Sequence, residues 1–382
     1  MPFRARHLAL ALAALTVASA CAAPVTSSPA PTAVDTLYYI SARDRAAEDG
    51  LPKVAATLEY GLVLTRRPRM DDPTSDGARI AILDSVLLTR ESFIAALQAR
   101  VPHDAPPQEF AVLYTHGYGT SLHNLWEHSA LARLRSRGEQ PWIVFAWPSI
   151  GSGVAWPRDG EIFTAAYRLD SAAAVASRGM YTAALTTVHE AIGGARLLPV
   201  AHSLGGQLVG ETLREDAGLR LRLVADPLRA LAFVSPDVEV RRFGDTIVPA
   251  ARPLTQRLLL YASADDRVLF FSERINASMR AGRVREVADG PVVFNGLESV
   301  DITEGQYANS WIVNAFGTRH ALRRKSAALF DLVHLVGAQR DASCREALGT
   351  AERLASGAWR LTSADVPAPQ RAAACAGFIA TN

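Results

Sequence analysis

Lysine is almost absent from this chain: Lys53 and Lys325 are the only two in 382 residues. Its positive charge is therefore arginine, which reads as composition bias rather than mechanism. An excess of either charge is missing as well. Basic residues number 40 and acidic ones 38, and Arg4 and Arg6 fall in a segment expected to be removed, which leaves the mature chain neutral. That balance excludes the basic surface of a nucleic-acid-binding protein, so no nucleic acid partner is expected. After the first twenty residues no apolar run approaches the roughly 20 residues of a membrane-spanning helix. Internal repeats are missing too. With 49% apolar and 20% charged residues, 26 Gly and 21 Pro, the composition excludes disorder, collagen and coiled coil. The length suits one large α/β domain or two small ones.

What is present begins with an export signal over residues 1–20. Arg4 and Arg6 form its charged start, Leu8 to Val17 its apolar stretch, and Ala18-Ser19-Ala20 a small-residue cleavage site. Cys21 directly follows, an arrangement that resembles a bacterial lipoprotein signal, in which that cysteine carries the lipid. The resemblance implies an exported protein of the cell envelope, held to the membrane through a lipid anchor at Cys21. Residues 21–34 then form a Pro/Ser/Thr-rich tether with nothing to bury. The remaining cysteines, Cys344 and Cys375, lie near the end. In an oxidising compartment they are expected to pair, which would stabilise the fold by about 3–4 kcal/mol in the chain-entropy model.

Between tether and tail, short apolar runs alternate with helical patterns. Leu37–Ser41, Glu59–Leu64 and, more weakly, Arg79–Leu83 read as strands, and Glu91–Val101 as a helix. Phe110–Thr115, Trp142–Ala146, Leu197–Ala201, Ala230–Val234 and Leu258–Ala262 are continuous apolar runs separated by helical stretches, among them one through Ser171–Ile192. Val300–Thr303 reads as a last strand and Lys325–Val336 as a last amphipathic helix. Strands without in/out alternation, spaced by helices, predict a mostly parallel, doubly wound α/β sheet with helices on both faces. The predicted boundaries are one such domain over 35–340 and a C-terminal appendage over 341–382.

The chemistry points to the run Ala201-His202-Ser203-Leu204-Gly205. It follows a predicted buried strand and opens a predicted helix, the context of a nucleophile elbow, with Ala in the place of the first Gly. Small neighbours are needed because the sharp turn pushes the serine hydroxyl outward. Upstream, His116-Gly117-Tyr118-Gly119-Thr120-Ser121 follows an early strand. Such a glycine-rich loop donates a backbone N–H to an oxyanion, here assigned to Tyr118, and the second donor is the N–H of Leu204. Ser203 needs a base and the base a carboxylate, in the chain order Ser, acid, His. His320 and His334 are the histidines beyond Ser203; His334 sits on an apolar helix, which favours His320. Asp266, before a helical stretch, is the preferred acid, with Asp265 and Asp237 as alternatives. No metal or cofactor is required. Aromatics near the expected site (Trp156, Phe163, Phe270, Phe271, Tyr307, Trp311, Phe316) could wall a pocket or simply fill a core.

These motifs together resemble the α/β-hydrolase superfamily, and within it a bacterial group of α/β hydrolases of unknown function. The group's His-Gly-aromatic loop ending in Thr-Ser corresponds to His116–Ser121, and its Trp-Pro-Ser strand end to Trp147-Pro148-Ser149. Its Ala-His-Ser-x-Gly elbow corresponds to Ala201–Gly205, and its acid segment to Tyr261-Ala262-Ser263 through Asp266-Arg267-Val268-Leu269. Tyr167, Asp170, Ala174 and Ser177 match its spacing, and the similarity runs over about residues 36–336. The resemblance implies hydrolysis of an ester-like bond and supplies no particular substrate; the lipid anchor would put lipid esters within reach. An acyltransferase with the same triad and a non-catalytic envelope binding protein stand as alternatives.

Overall fold

In a computed structural model, the apolar runs of the sequence assemble into a single sheet. The structure describes residues 34–45, 53–66, 80–102, 106, 109–150, 160–304, 320–362 and 367–377. The export signal, Cys21 and the tether up to residue 33 lie outside them, as do Trp156, Tyr307, Trp311, Phe316 and the side chain of Phe163.

The strands are β1 (Val34–Arg43), β2 (Val54–Arg66), β3 (Ala81–Leu88), β4 (Ala111–Thr115), β5 (Trp142–Ala146), β6 (Leu197–His202), β7 (Leu231–Val234), β8 (Leu258–Ala262), β9 (Glu298–Asp301), β10 (Ala351–Arg353) and β11 (Trp359–Leu361). Their order across the sheet is β10-β11-β9-β8-β7-β6-β4-β5-β1-β2-β3. Neighbours from β1 to β11 through the middle of the sheet run parallel. Only β2, β3 and β10 enter antiparallel. Successive residues of the central strands feed opposite cores. Ile143 and Phe145 of β5 pack on one face and Trp142, Val144 and Ala146 on the other. Leu258 and Leu260 of β8 likewise oppose Leu259 and Tyr261. Both faces are buried, which is why these strands read as unbroken apolar runs.

Helices α1 (Arg90–Arg100), α2 (Leu122–Arg135), α3 (Gly160–Ala176), α4 (Arg178–Ile192), α5 (Leu204–Glu215) and α6 (Ala217–Ala225) cover the sheet. Two short helices follow, α7 (Val240–Arg242) and α8 (Val248–Ala251), then α9 (Arg267–Asn276) and α10 (Ser326–Phe330). Leu97, Leu185 and Leu208, from α1, α4 and α5, join one core, whereas Leu125 of α2 and Leu329 of α10 join the other. Side-chain caps set several starts: Thr89 accepts from the Ser92 N–H, Ser121 from Asn124 and Asp216 from Leu219.

Three sequence expectations need revision. The helical stretch through Ser171–Ile192 is two helices, broken at buried Ser177, whose hydroxyl bonds back to the Ala173 carbonyl at 2.7 Å. The last helix stops being α-helical at Phe330 and continues as a π-helical turn over Asp331–Gly337. The expected Cys344–Cys375 disulfide is absent. Both residues are free thiols. They are neighbours, and burial together with the Cys375 side chain pushes the Cys344 thiol up to about 12. The tail also does more than append. Its strand β11 pairs in parallel with β9, and β10 closes that edge.

Candidate active site

Ser203 is the single residue between the end of β6 and the start of α5, and it sits at φ 57°, ψ −124°. A non-glycine residue there is strained by about 1–3 kcal/mol. The backbone around it holds the strain in place. Its N–H donates to Val234 O at 3.1 Å, and its carbonyl accepts from Gly206 at 2.9 Å and Asp237 at 3.0 Å. Small residues are needed for a measurable reason. A methyl on Gly205 would sit 2.5 Å from the His116 carbonyl oxygen, and one on Gly206 would sit 2.8 Å from Pro236 Cβ.

His320 and Asp266 come together across 54 residues of sequence. His320 Nδ1 donates to Asp266 Oδ2 at 2.6 Å. The same carboxylate caps α9, its Oδ1 accepting from Leu269 at 3.0 Å. Burial alone would raise the Asp266 pKa, but the His320 charge and hydrogen bond, the Lys325 charge and the Leu269 N–H bring it below the usual carboxylate value. Asp266 is therefore ionised and fixes the imidazole tautomer, leaving His320 Nε2 as the acceptor. That Nε2 and Ser203 Oγ are both buried, and neither has a hydrogen-bond partner among the described residues.

The alternatives are accounted for elsewhere. Asp237 is buried and engaged by Tyr167 (3.0 Å), Ser272 (2.5 Å) and Arg280 (3.2 Å). Asp265 lines a cavity of about 220 Å³ with Asp266, Arg267, Phe270 and Arg283. His334 bonds to the Ser136 carbonyl at 2.7 Å and packs on Phe330.

The glycine-rich loop lies against the serine. A methyl on Gly117 would sit 2.5 Å from Ser203 Cβ and 3.0 Å from Oγ, so the Gly117–Tyr118 backbone passes in direct contact with it. Tyr118 itself is half-buried, its ring 6.2 Å from that of Tyr167. Leu204 is the first residue of α5, so its N–H has no acceptor within the helix.

Three residues that the sequence did not single out as functional also reach the site. His202 Nε2 donates to the His320 carbonyl at 2.9 Å, with the two rings 4.6 Å apart. Burial, then the nearby His320 charge, lower its pKa to about 3, so it is neutral. Lys325 is fully buried just before α10 and acts electrostatically on Asp266. Arg43, at the end of β1, reaches the Thr120 carbonyl. His202 adjoins the elbow serine, a positional signal that could have found it; Arg43 carries no local pattern at all.

A strained serine between a central parallel strand and its helix, with a histidine–carboxylate pair on later elements, defines an α/β hydrolase by fold and site. The chain belongs to the alpha/beta hydrolase family of unknown function DUF900, whose model matches residues 91–318. The matched span includes Ser203 and Asp266 and ends just before His320. No curated protein matches the chain. Solved structures that it resembles include a predicted CIB-like hydrolase from Thermoplasma acidophilum, at 14% identity over 80% of this chain and 100% of that one, with a TM-score of 0.30. EstE1, a thermostable carboxylesterase from a metagenomic library, aligns at 13% identity over 79% of this chain and 90% of that one, TM-score 0.31. A Pyrobaculum calidifontis esterase aligns at 12% over 78% and 85%, TM-score 0.31.

Proposed function

We propose that the protein is a serine hydrolase of ester-like bonds with Ser203 as nucleophile, His320 as base and Asp266 as the orienting acid. One observation carries the reading: the 2.6 Å His320–Asp266 bond leaves a buried, unpartnered Nε2 on a ring 4.6 Å from that of His202, whose chain neighbour Ser203 holds a buried, unpartnered Oγ at a strained elbow. His320 Nε2 takes the Ser203 proton as Oγ attacks the carbonyl carbon. The amides of Tyr118 and Leu204 hold the tetrahedral oxyanion. Collapse expels the alkoxide, which takes the proton from His320, and water then releases the acyl group by the same route in reverse. The step needs no group beyond these side chains and amides.

Fluorophosphonate labelling with peptide mapping tests it. The label is expected on Ser203, and Ser203→Ala is expected to lose the label and to lower ester turnover by a factor on the order of 10⁴ to 10⁶. A folded Ser203→Ala variant that hydrolyses short-chain esters at the native rate would overturn the assignment. The signal-like start and Cys21 support placement at the cell envelope through a lipid anchor, with lipid esters within reach as substrates. Cys21→Ser is then expected to move the protein from the membrane to the soluble fraction, and unchanged membrane association ends that placement.

A further inference from the structure

The loop that contacts Ser203 is tied partly within itself, the Thr120 hydroxyl sharing its proton between the Gly117 and Tyr118 carbonyls at 3.2 Å each. It is also clamped from outside by a buried carboxyl, Asp170, and a half-buried guanidinium, Arg43, that no step of the proposed reaction uses. Asp170 of α3 is fully buried and accepts three hydrogen bonds. These come from the Gly119 N–H at 2.9 Å, the Ser149 hydroxyl at 2.5 Å and the Ile150 N–H at 2.8 Å. Ser149 passes the restraint on, its Oγ accepting from the Thr120 N–H at 3.0 Å. Arg43 works from the other side. Its guanidinium donates to the Thr120 carbonyl at 2.6 Å, to His116 Nε2 at 3.2 Å and to the Ser149 carbonyl at 3.4 Å. His116 is the first residue of the loop and is stacked on Trp147 at 4.7 Å, while the Trp147 indole N–H donates to the His116 carbonyl at 2.8 Å. His116 Nδ1 faces the Gly117 carbonyl at 2.8 Å and so carries the ring proton; burial and the Arg43 charge keep the ring neutral, so Nε2, which also lies 3.1 Å from the Trp147 carbonyl, accepts from Arg43.

Beyond its internal bonds, the loop is held from β1, from α3 and from the segment that follows β5. Gly119, at φ +64°, turns its N–H toward Asp170, which a less permissive residue would do only with strain. Backbone donors to an oxyanion lose their effect if they shift by a fraction of an ångström. A loop in contact with the nucleophile and held by the Asp170 carboxyl and the Arg43 guanidinium has the rigidity that such donors need.

Resting on the serine-hydrolase reading above, we infer that Asp170 and Arg43 are positioning residues that set the 116–121 loop, and with it the Tyr118 amide, against the oxyanion. Their contribution is felt in the transition state rather than in substrate binding. Asp170→Asn keeps the volume but places an NH₂ donor where three donors already converge. Arg43→Lys keeps the charge but cannot span the Thr120, His116 and Ser149 acceptors at once.

The test is steady-state ester hydrolysis by purified native, Asp170→Asn and Arg43→Lys proteins, together with their affinity for a trifluoromethyl ketone, which forms a tetrahedral adduct. For Asp170→Asn the expected result is kcat lower by about 10- to 100-fold with KM within twofold, and ketone affinity falling in step with kcat. Arg43→Lys is expected to follow the same pattern less deeply. Native-like kcat in both folded variants overturns the inference. So does a fall expressed wholly in KM, or one that leaves ketone affinity intact. Should Asp170→Asn fail to fold, Ser149→Ala, which removes one link of the clamp, is expected to lower kcat several-fold at constant KM; unchanged kcat there overturns the inference too. A native protein that neither turns over esters nor labels at Ser203 would instead sink the hydrolase reading itself.

Discussion

Two buried polar clusters in this molecule follow opposite rules. In one, near the start of β8 and β9, almost every group is paired. Arg257 forks onto both oxygens of Glu298 at 2.8 Å and bonds the Arg340 carbonyl. Arg345 forks onto Asp331 at 2.8 and 2.9 Å and reaches Glu298 at 3.2 Å, and the Tyr261 hydroxyl donates to Asp331 at 2.6 Å. In the other, at the carboxyl ends of β6 and β8, the backbone of Ser203 is strained and two reactive atoms have no partner. Burying a polar atom without a hydrogen bond costs about 1–3 kcal/mol. The first cluster spends its chemistry on joining the C-terminal strands to the sheet, with Arg345 also lying over the Trp359 ring of β11. The second leaves Ser203 Oγ and His320 Nε2 unpaired, as the proposed hydrolysis requires.

Breaking the reactive cluster is expected to show in rate alone. Asp266→Asn keeps the shape but removes the charge that orients His320, so turnover is expected to fall on the order of 10⁴-fold. Thermal denaturation would accompany the assay, and a variant active within tenfold of native would refute the orienting role. Breaking the paired cluster is expected to show in stability. Arg345→Met strands Asp331 and part of Glu298 in the interior, which is expected to cost about 3–5 kcal/mol, read from urea unfolding; a loss under 1 kcal/mol would mean that the cluster relaxes or hydrates. The smallest effect sharpens the contrast by pH. Burial alone would raise the Glu298 pKa, but Arg257 and Arg345 lower it from 4.5 to about 2. A carboxylate depressed on folding stabilises fully above its unfolded value, and that contribution is lost as pH falls through its folded one. The native protein is thus expected to lose about 3 kcal/mol relative to Glu298→Gln between pH 4.5 and 2. Parallel stability curves for the two proteins over that range would contradict this.

The same contrast explains what was legible in the sequence. Central strands announced themselves because both faces are buried, and β5 and β8 have the expected limits. Strand β3 runs on to Leu88, beyond the expected Leu83, because it is a largely exposed edge with little apolar patterning to mark it. The break at Ser177 and the π-helical turn after Phe330 depend on hydrogen-bond geometry that composition does not encode. At the site, Ser203 was readable from a local turn, whereas the choice of Asp266 over Asp265 depends on which side chain caps α9 toward His320. Arg43 was unreadable: an arginine at the end of a strand looks like any solvated charge until β1 is seen to lie beside β5.

The scarcity of lysine has a practical corollary. Apart from the chain terminus, the folded body offers an amine reagent one accessible target, the exposed Lys53, because Lys325 is shut away beside Asp266. A second acylation event would therefore register the opening of α10 from His320 and Asp266, and counting added masses over time would clock how often that corner comes apart.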